Sequence, residues 1–161
     1  MDLKQFFLQE KQAAYEGTVS VLSKIPPGEI AWRPAAGMLS FGEIARHIWT
    51  SEEGTRRLAL EGNWEYYQKR LPQGLLAFLG EVRSVDVELS QLGRVHQETL
   101  RAVEAFPLER WSELRENPEF KVRRKVSEIL FGINTHHIHH RAQVGTYVHI
   151  LTGKRASPYA W

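Results

Sequence analysis

The chain contains no cysteine, and this absence excludes several kinds of protein at once. There can be no disulfide bond, no thiolate metal ligand and no cysteine nucleophile. A metal ion would have to be held by histidine, carboxylate or water, and sulfur chemistry would need a thiol from outside. No apolar run approaches the ~20 residues of a membrane span, and the first residues lack the apolar stretch of a signal peptide. We therefore expect a cytoplasmic protein with no membrane partner.

A strong charge of one sign is also missing, because the formal net charge is only +2 over 161 residues. The one dense cationic run, residues 121–125, is typical of a solvated connection, although a short basic cluster can also bind phosphate. The sequence has no Gly-rich phosphate loop, no strand–helix alternation, no Ser-based elbow and no motif that reads DNA. We expect no nucleic-acid partner.

What the chain does have is the composition of a folded domain, with 42% hydrophobic and 25% charged residues. Its length suits one domain, which we predict to span residues 1–161. Apolar residues at three-and-four spacing predict four amphipathic helices. They cover about residues 2–24, 41–61 and 81–106, with a fourth helix that ends at Gly153. The predicted fold class is all-α, a four-helix bundle.

The helix ends and the connections carry weaker signals. Asp2 is a predicted N-cap, and Ser40 with Glu43 predicts a capping box at the start of the second helix. Residues 62–80 are aromatic and irregular, with a short helix expected around Leu75–Leu79. Residues 107–125 are predicted to be a connection that contains short extended pieces.

The most informative stretch is residues 136–140, which hold four of the seven histidines. His136 and His140 are four residues apart, so on a helix they lie about 40° apart around the axis and about 6 Å along it. Both rings can then reach one metal ion. The two also fall on the predicted buried line of the fourth helix. His137 and His139 fall off that line and are interpreted as a flank or surface pair.

A site with two ligands on one helix needs a third from elsewhere. His47 in the second helix is followed on its line by Ser51 and Gly54, small residues that leave room beside the ring or permit close packing. His96 lies on the apolar stripe of the third helix, where a hydrogen-bonded core residue is the favoured interpretation and a ligand the reserve one. Glu10 is either a buried acid facing a site or an edge residue that reaches solvent.

Four segments together resemble a known family. The histidine-bearing segment Phe41–Ile48 and the motif His136-x-x-x-His140-Arg141-x-Gln143 resemble the DinB/YfiT-like superfamily, as do Trp32-Arg33-Pro34 and Leu151-Thr152-Gly153. One departure is Ala142, where the motif usually carries glycine. The resemblance implies a four-helix bundle of up-down-down-up connectivity. It also implies a divalent metal ion held by His47, His136 and His140, with open positions for water or substrate.

The resemblance carries functional expectations as well. Some members of the superfamily resemble S-transferases or isomerases that use thiols such as bacillithiol, mycothiol or glutathione, many others have no established activity, and the family name reflects damage-inducible expression. It implies a metal-dependent transferase with a small-molecule substrate, a low-molecular-weight thiol and a homodimeric state. Nickel or zinc is the expected ion, with iron or manganese as alternatives. A metal-dependent hydrolase and a non-catalytic metal- or ligand-binding stress protein remain open. Arg141 either binds an anionic group or orients the helix end, or it forms a salt bridge.

Overall fold

Helices dominate the computed structural model, which describes residues 2–157. The long helices are α1 (Leu3–Leu22), α2 (Phe41–Glu61), α5 (Val85–Ala105) and α6 (Val126–Thr152), and between α2 and α5 lie α3 (Glu65–Gln73) and α4 (Leu75–Leu79). A 3₁₀ helix (Leu108–Ser112) and a hairpin of β1 (Leu114–Asn117) and β2 (Val122–Lys125) connect α5 to α6. The predicted helical character is confirmed. None of the helices within residues 2–157 has the length and apolar character needed to cross a membrane.

The ends of the long helices follow the local sequence chemistry. The carboxylate of Asp2 accepts a hydrogen bond from Gln5 N at 2.8 Å, and the Gln5 side chain accepts one from Asp2 N at 3.2 Å. Ser40 and Glu43 form the same reciprocal pair at the start of α2, at 3.2 and 2.6 Å. Helix α6 stops at Thr152, and the following Gly153 caps it with a φ of 72°, a left-handed conformation that glycine adopts without strain. These predicted boundaries are confirmed.

Helix α3 lies where the sequence predicts no regular helix. Its start has no side-chain cap, Pro72 sits in its last turn, and none of its residues is fully buried. Contact with α2 holds this helix in place, because its own sequence provides no capping side chain and no buried face. A Cβ built on Gly54 would lie 2.2 Å from Tyr66 Cγ, so the tyrosine ring fills the space beside that glycine. The neighbouring short helix at Leu75–Leu79 matches the prediction.

We expect Gly54→Ala to lower the free energy of unfolding by about 1–3 kcal/mol, because the new Cβ overlaps Tyr66. Elsewhere in a helix the same change stabilises by roughly 0.5–1 kcal/mol. Gly132→Ala in α6 is the matched control, since its Cβ would meet no heavy atom within 4 Å. Urea unfolding of both variants measures the difference. Equal stabilisation by the two changes would contradict the packing of α3 on α2.

Contacts along each pair of long helices show their relative directions. Helices α2 and α5 run parallel, as do α1 and α6, by the contacts Arg46–Glu88, Arg56–Glu98, Phe7–Phe131 and Thr18–His137. Helices α2 and α6 run antiparallel, as do α1 and α5, by the contacts Phe41–Tyr147, Glu52–His137, Lys4–Glu104 and Lys11–His96. The four long helices therefore surround one shared interior.

That interior has two apolar cores with a polar layer between them. One core includes Val21, Ile48, Leu92 and Val144, and the other includes Phe7, Leu58, Val103 and Ile133. In each long helix, buried polar residues occupy positions between the two cores: Lys11 and Thr18, Ser51 and Glu52, His96 and Thr99, and Asn134, His137 and His140. Buried polar groups are costly unless they are paired, so this layer is where functional chemistry is expected.

The connection before α6 contains the extended pieces that the sequence predicts. Strand β1 pairs with β2 in antiparallel register, from Leu114 opposite Lys125 to Asn117 opposite Val122. The Arg115 side chain donates from Nε to the carbonyl oxygen of Ala59 at 2.9 Å, which holds the hairpin against the end of α2. The hairpin thereby covers the same end of the molecule as α3.

Candidate metal centre

Three histidines meet in the interior, one from α2 and two from α6. The Nε2 atoms of His47 and His136 are 3.1 Å apart, and the ring of His140 lies 4.8 and 4.4 Å from the rings of these two residues. One ring nitrogen from each residue falls within 4.8 Å of the others. The antiparallel packing of α2 on α6 produces this meeting, since it sets the first third of α2 against the middle of α6. The group could hold a metal ion.

The separation of the His47 and His136 Nε2 atoms suits a shared ion, and a ring nitrogen of His140 lies within 4.8 Å of both residues. Two nitrogens bound to one zinc ion at about 2.0–2.1 Å are separated by roughly 3.0–3.4 Å, depending on the coordination angle. The 3.1 Å between the two Nε2 atoms lies in that range. Three imidazoles are also a donor set that zinc, nickel and iron accept. The residues present therefore fit a divalent metal ion.

The three rings are held in the neutral form that binds metals. Burial lowers the pKa of His47 to about 3, with further lowering by the charges of His140 and Arg70. Burial, with His140 and His47 alongside, lowers the pKa of His136 to about 2. Burial also lowers the pKa of His140, although its hydrogen bond to Gln143 opposes the shift. Neutral imidazoles have a free lone pair, so little competition from protons is expected near neutral pH.

A hydrogen-bonded chain orients the third ring. His140 Nδ1 lies 2.9 Å from Gln143 Oε1, and Gln143 Nε2 donates to the hydroxyl of Tyr147 at 3.0 Å. Because an amide oxygen only accepts, the proton of His140 is placed on Nδ1 and its Nε2 is left free. Ligating histidines are commonly fixed in this way through their other nitrogen. Gln143 is therefore the residue that orients His140.

The other two histidines of the stretch have different surroundings. His139 is exposed, as predicted. The surface interpretation of His137 is wrong, because its side chain is completely buried. Its Nε2 lies 2.7 Å from Glu52 Oε2 and its Nδ1 lies 3.2 Å from Thr18 Oγ1. Helix α6 packs on both α1 and α2, so its buried face is wider than a single helical line and includes His137.

A buried ion pair adjoins this group. Lys11 Nζ lies 3.1 Å from Glu52 Oε1, and neither side chain is accessible to solvent. Burial by itself raises the pKa of the Glu52 carboxyl, but Lys11 and His137 together hold that pKa below its ordinary value. Burial lowers the pKa of Lys11, and the carboxylate opposes that shift. The sequence interpretation missed both residues, although Lys11 interrupts the apolar stripe between Phe7 and Ala14 and so carried the signal.

His96, the reserve ligand candidate, lies beside the Lys11–Glu52 ion pair and is not part of the three-histidine group. His96 is fully buried, with Nδ1 at 3.1 Å from Lys11 Nζ and Nε2 at 2.9 Å from Gln12 Oε1. The ammonium donates to Nδ1, so His96 carries its proton on Nε2. Its ring also stacks on Tyr15, with the centroids 3.9 Å apart. The core interpretation of His96 is confirmed, and Glu10 is exposed, which confirms its solvent-reaching alternative.

A cavity of about 450 Å³ reaches the three-histidine group. His47 and His136 are in its wall, and so is Ser51, one turn after His47. The remaining lining comes from α2, from α3 and the residue before it, from the hairpin and from α6: Glu52, Thr55, Leu58, Trp64, Tyr67, Arg70, Phe120, Val122, Arg124, Glu128, Ile129, Gly132 and Ile133. The irregular segment 62–80 therefore contributes Trp64, Tyr67 and Arg70 to the cavity, and the hairpin contributes Phe120, Val122 and Arg124. A small molecule in this cavity would lie against two of the three histidines.

The lowered pKa values predict how the metal-free protein responds to acid. Between pH 6.5 and about 3 the unfolded chain protonates histidines that the folded chain keeps neutral, so stability falls as pH falls through this window. Each such histidine contributes up to about 1.4 kcal/mol per pH unit. Urea unfolding in chelator at pH 7.5, 6.0 and 5.0 measures the slope. His136→Gln is expected to flatten it and the exposed His149→Gln to leave it unchanged; a pH-independent stability would contradict the prediction.

The chain is similar to a known protein family and to solved structures. The family model of the DinB superfamily matches residues 12–144. The crystal structure of a DinB-like protein from Bacillus subtilis is similar with a TM-score of 0.73 and 18% identity, over 95% of each chain. That of a DinB-like protein from Bacillus cereus is similar with a TM-score of 0.69 and 20% identity, over 96% of this chain and 95% of the other. At sequence identities of 18% and 20%, the two matches show that the folds are similar. The search of curated proteins found no match.

Proposed function

The chain belongs to the DinB superfamily, and from that premise we propose that it binds a divalent metal ion and acts as a metal-dependent enzyme of the thiol S-transferase type. The proposed ligands are His47, His136 and His140. One observation carries the proposal: three neutral imidazoles lie within 4.8 Å of one another, and two of them, His47 and His136, line a cavity of about 450 Å³. Nickel or zinc is the proposed ion.

The donor set favours a reactive ion over a structural one. Closed structural zinc sites have four protein ligands, whereas catalytic sites have three and keep a position open. Within residues 2–157 the group contains three histidines and no carboxylate. Held by neutral ligands, the ion would supply a Lewis acid that lowers the pKa of a bound thiol or water. The thiol has to come from outside, since the chain has no cysteine.

The residues of the chain have separate roles in this proposal. Gln143 holds His140 in one orientation, and the apolar wall of the cavity excludes water from the reacting groups.

The connectivity that we propose for the long helices is up-down-down-up, in which α2 and α5 run together against α1 and α6. The parallel order of the ion pairs Arg46–Glu88 and Arg56–Glu98 supports it.

A conjugation assay tests the proposal. The metal-loaded protein is mixed with 1-chloro-2,4-dinitrobenzene and, in turn, glutathione, cysteine, bacillithiol and mycothiol. The reaction forms a carbon–sulfur bond, breaks the carbon–chlorine bond and releases chloride and the thiol proton. We expect conjugation with at least one thiol that requires metal and is lost in His136→Ala. The exposed His139→Ala is the matched control and keeps the activity.

Two other outcomes would overturn the transferase proposal. The same open position can act on water, so the hydrolase alternative predicts metal-dependent hydrolysis of 4-nitrophenyl acetate without any thiol. Metal binding with neither reaction would support the non-catalytic alternative, a metal- or ligand-binding protein. Because both assays use the same loaded protein, they separate the three alternatives directly.

A further inference from the structure

The cavity beside the three histidines has one aromatic wall. Trp64 and Phe120 rings lie with centroids 5.7 Å apart, and Tyr67 lies 6.3 and 6.5 Å from the same two rings. Gly132 faces the cavity without a side chain, and a Cβ there would meet no heavy atom within 4 Å. A slot bounded by aromatic rings and open on one side suits a flat, largely apolar molecule.

The carboxylates that line the cavity are already occupied. Glu52 is paired with Lys11 at 3.1 Å and with His137 at 2.7 Å. Glu128 accepts a hydrogen bond from Lys125 N at 2.9 Å and caps the start of α6, where the helix dipole favours its charge. Neither carboxylate therefore needs a cation from a ligand.

Unlike these carboxylates, the two arginines that line the cavity lack an ion-pair partner among the described residues. Within residues 2–157 no carboxylate lies at ion-pair distance from Arg70 or Arg124. Arg70 rests over aromatic rings, with its guanidinium carbon 5.7 Å from the centroid of Tyr66 and 6.0 Å from that of Tyr67. One long contact of 3.5 Å to the Tyr66 hydroxyl is its single hydrogen bond among the described residues. The rings hold the guanidinium in place and leave most of its donors unused.

We propose that Arg70 is the anion-binding residue of this cavity and that the ligand is a flat organic molecule carrying a carboxylate. The guanidinium fork matches a carboxylate through two parallel hydrogen bonds, the aromatic wall takes the apolar body, and Arg124 adds positive charge at the rim. The assignment of this ligand as the substrate rests on the proposed function. Its binding does not, because Arg70, Trp64, Tyr67 and Phe120 need no metal ion.

Calorimetric titration of the metal-free protein with 2-naphthoate and with the neutral isostere 2-naphthamide tests the proposal. We expect naphthoate to bind at least about tenfold more tightly than the amide, since a hydrogen-bonded charge contributes that much. Arg70→Gln is expected to remove this preference, and Arg70→Lys to retain part of it. The control is Arg83→Gln, which alters an exposed arginine paired with Glu81 and is expected to change neither affinity.

A second variant locates the ligand independently of charge. Gly132→Leu adds a side chain at a cavity-lining position where a Cβ meets no heavy atom within 4 Å, and is expected to abolish naphthoate binding while the protein remains folded and still binds metal. Equal affinities for acid and amide, an unchanged affinity in Arg70→Gln, or an unchanged affinity in Gly132→Leu would each overturn the proposal. So would the absence of binding at millimolar naphthoate. Because no metal is present, a failure of the metal site would leave these results unaffected.

Discussion

Replacing His47, His136 or His140 by alanine is expected to weaken the binding of zinc or nickel by at least about 100-fold. Changing a residue that merely orients a ligand typically costs 10–100-fold in affinity, and these changes remove one of three ligands outright. Each residue contributes a nitrogen to the same group, so the three variants should behave alike. Competition with a chromophoric chelator at pH 7.5 gives the affinities.

The histidine-rich helix supplies its own controls. His139 and His149 are exposed and lie on α6 with the two proposed ligands. His139→Ala and His149→Ala are expected to bind metal like the unaltered protein. Metal should also raise the melting temperature of these controls and not that of the ligand variants, since an ion stabilises only a protein that binds it. A loss of affinity in His139→Ala equal to that in His140→Ala would contradict the assignment.

Lys11→Met is expected to lower the free energy of unfolding of the metal-free protein by about 3–5 kcal/mol. The change leaves the completely buried Glu52 carboxylate with its hydrogen bond from His137 but without its cationic partner, and removing one partner of a buried pair typically costs that much. His96 also loses the ammonium that donates to its Nδ1 at 3.1 Å. Urea unfolding measures the loss.

An exposed lysine–glutamate pair provides the control for Lys11→Met. Lys69 and Glu65 are 2.5 Å apart on α3, with 62% and 47% of their side chains exposed, and Lys69→Met is expected to cost less than about 0.5 kcal/mol. Adding Glu52→Gln to Lys11→Met removes the buried carboxylate charge that has lost its cation and is expected to restore part of the stability. A loss below about 1 kcal/mol in Lys11→Met would contradict a buried ion pair.

Local patterns were enough to predict much of this molecule. The reciprocal caps at Asp2 and Ser40 depend on side chains three residues apart, and helical spacing alone places His136 and His140 on one face. Such features need no knowledge of distant contacts. The meeting with His47 was implied by a family resemblance, and the antiparallel packing of α2 on α6 is what brings the three rings together.

Features that depend on tertiary contacts were missed for a physical reason. His137 is buried because α6 packs on two helices at once, and a single helical line cannot reveal a second contact face. Helix α3 lacks a capping side chain and has a proline in its last turn, and the contact of Tyr66 with Gly54 holds it on α2. Arg70 belongs to the cavity only because α3 is folded back over α2.

Anomalous diffraction from a crystal of the zinc-loaded protein, measured at the zinc edge, tests the metal centre most directly. The account predicts one strong peak among the three rings, in contact with a nitrogen of His47, of His136 and of His140. A peak at the exposed His139 or His149 with none among the rings of His47, His136 and His140 would contradict it.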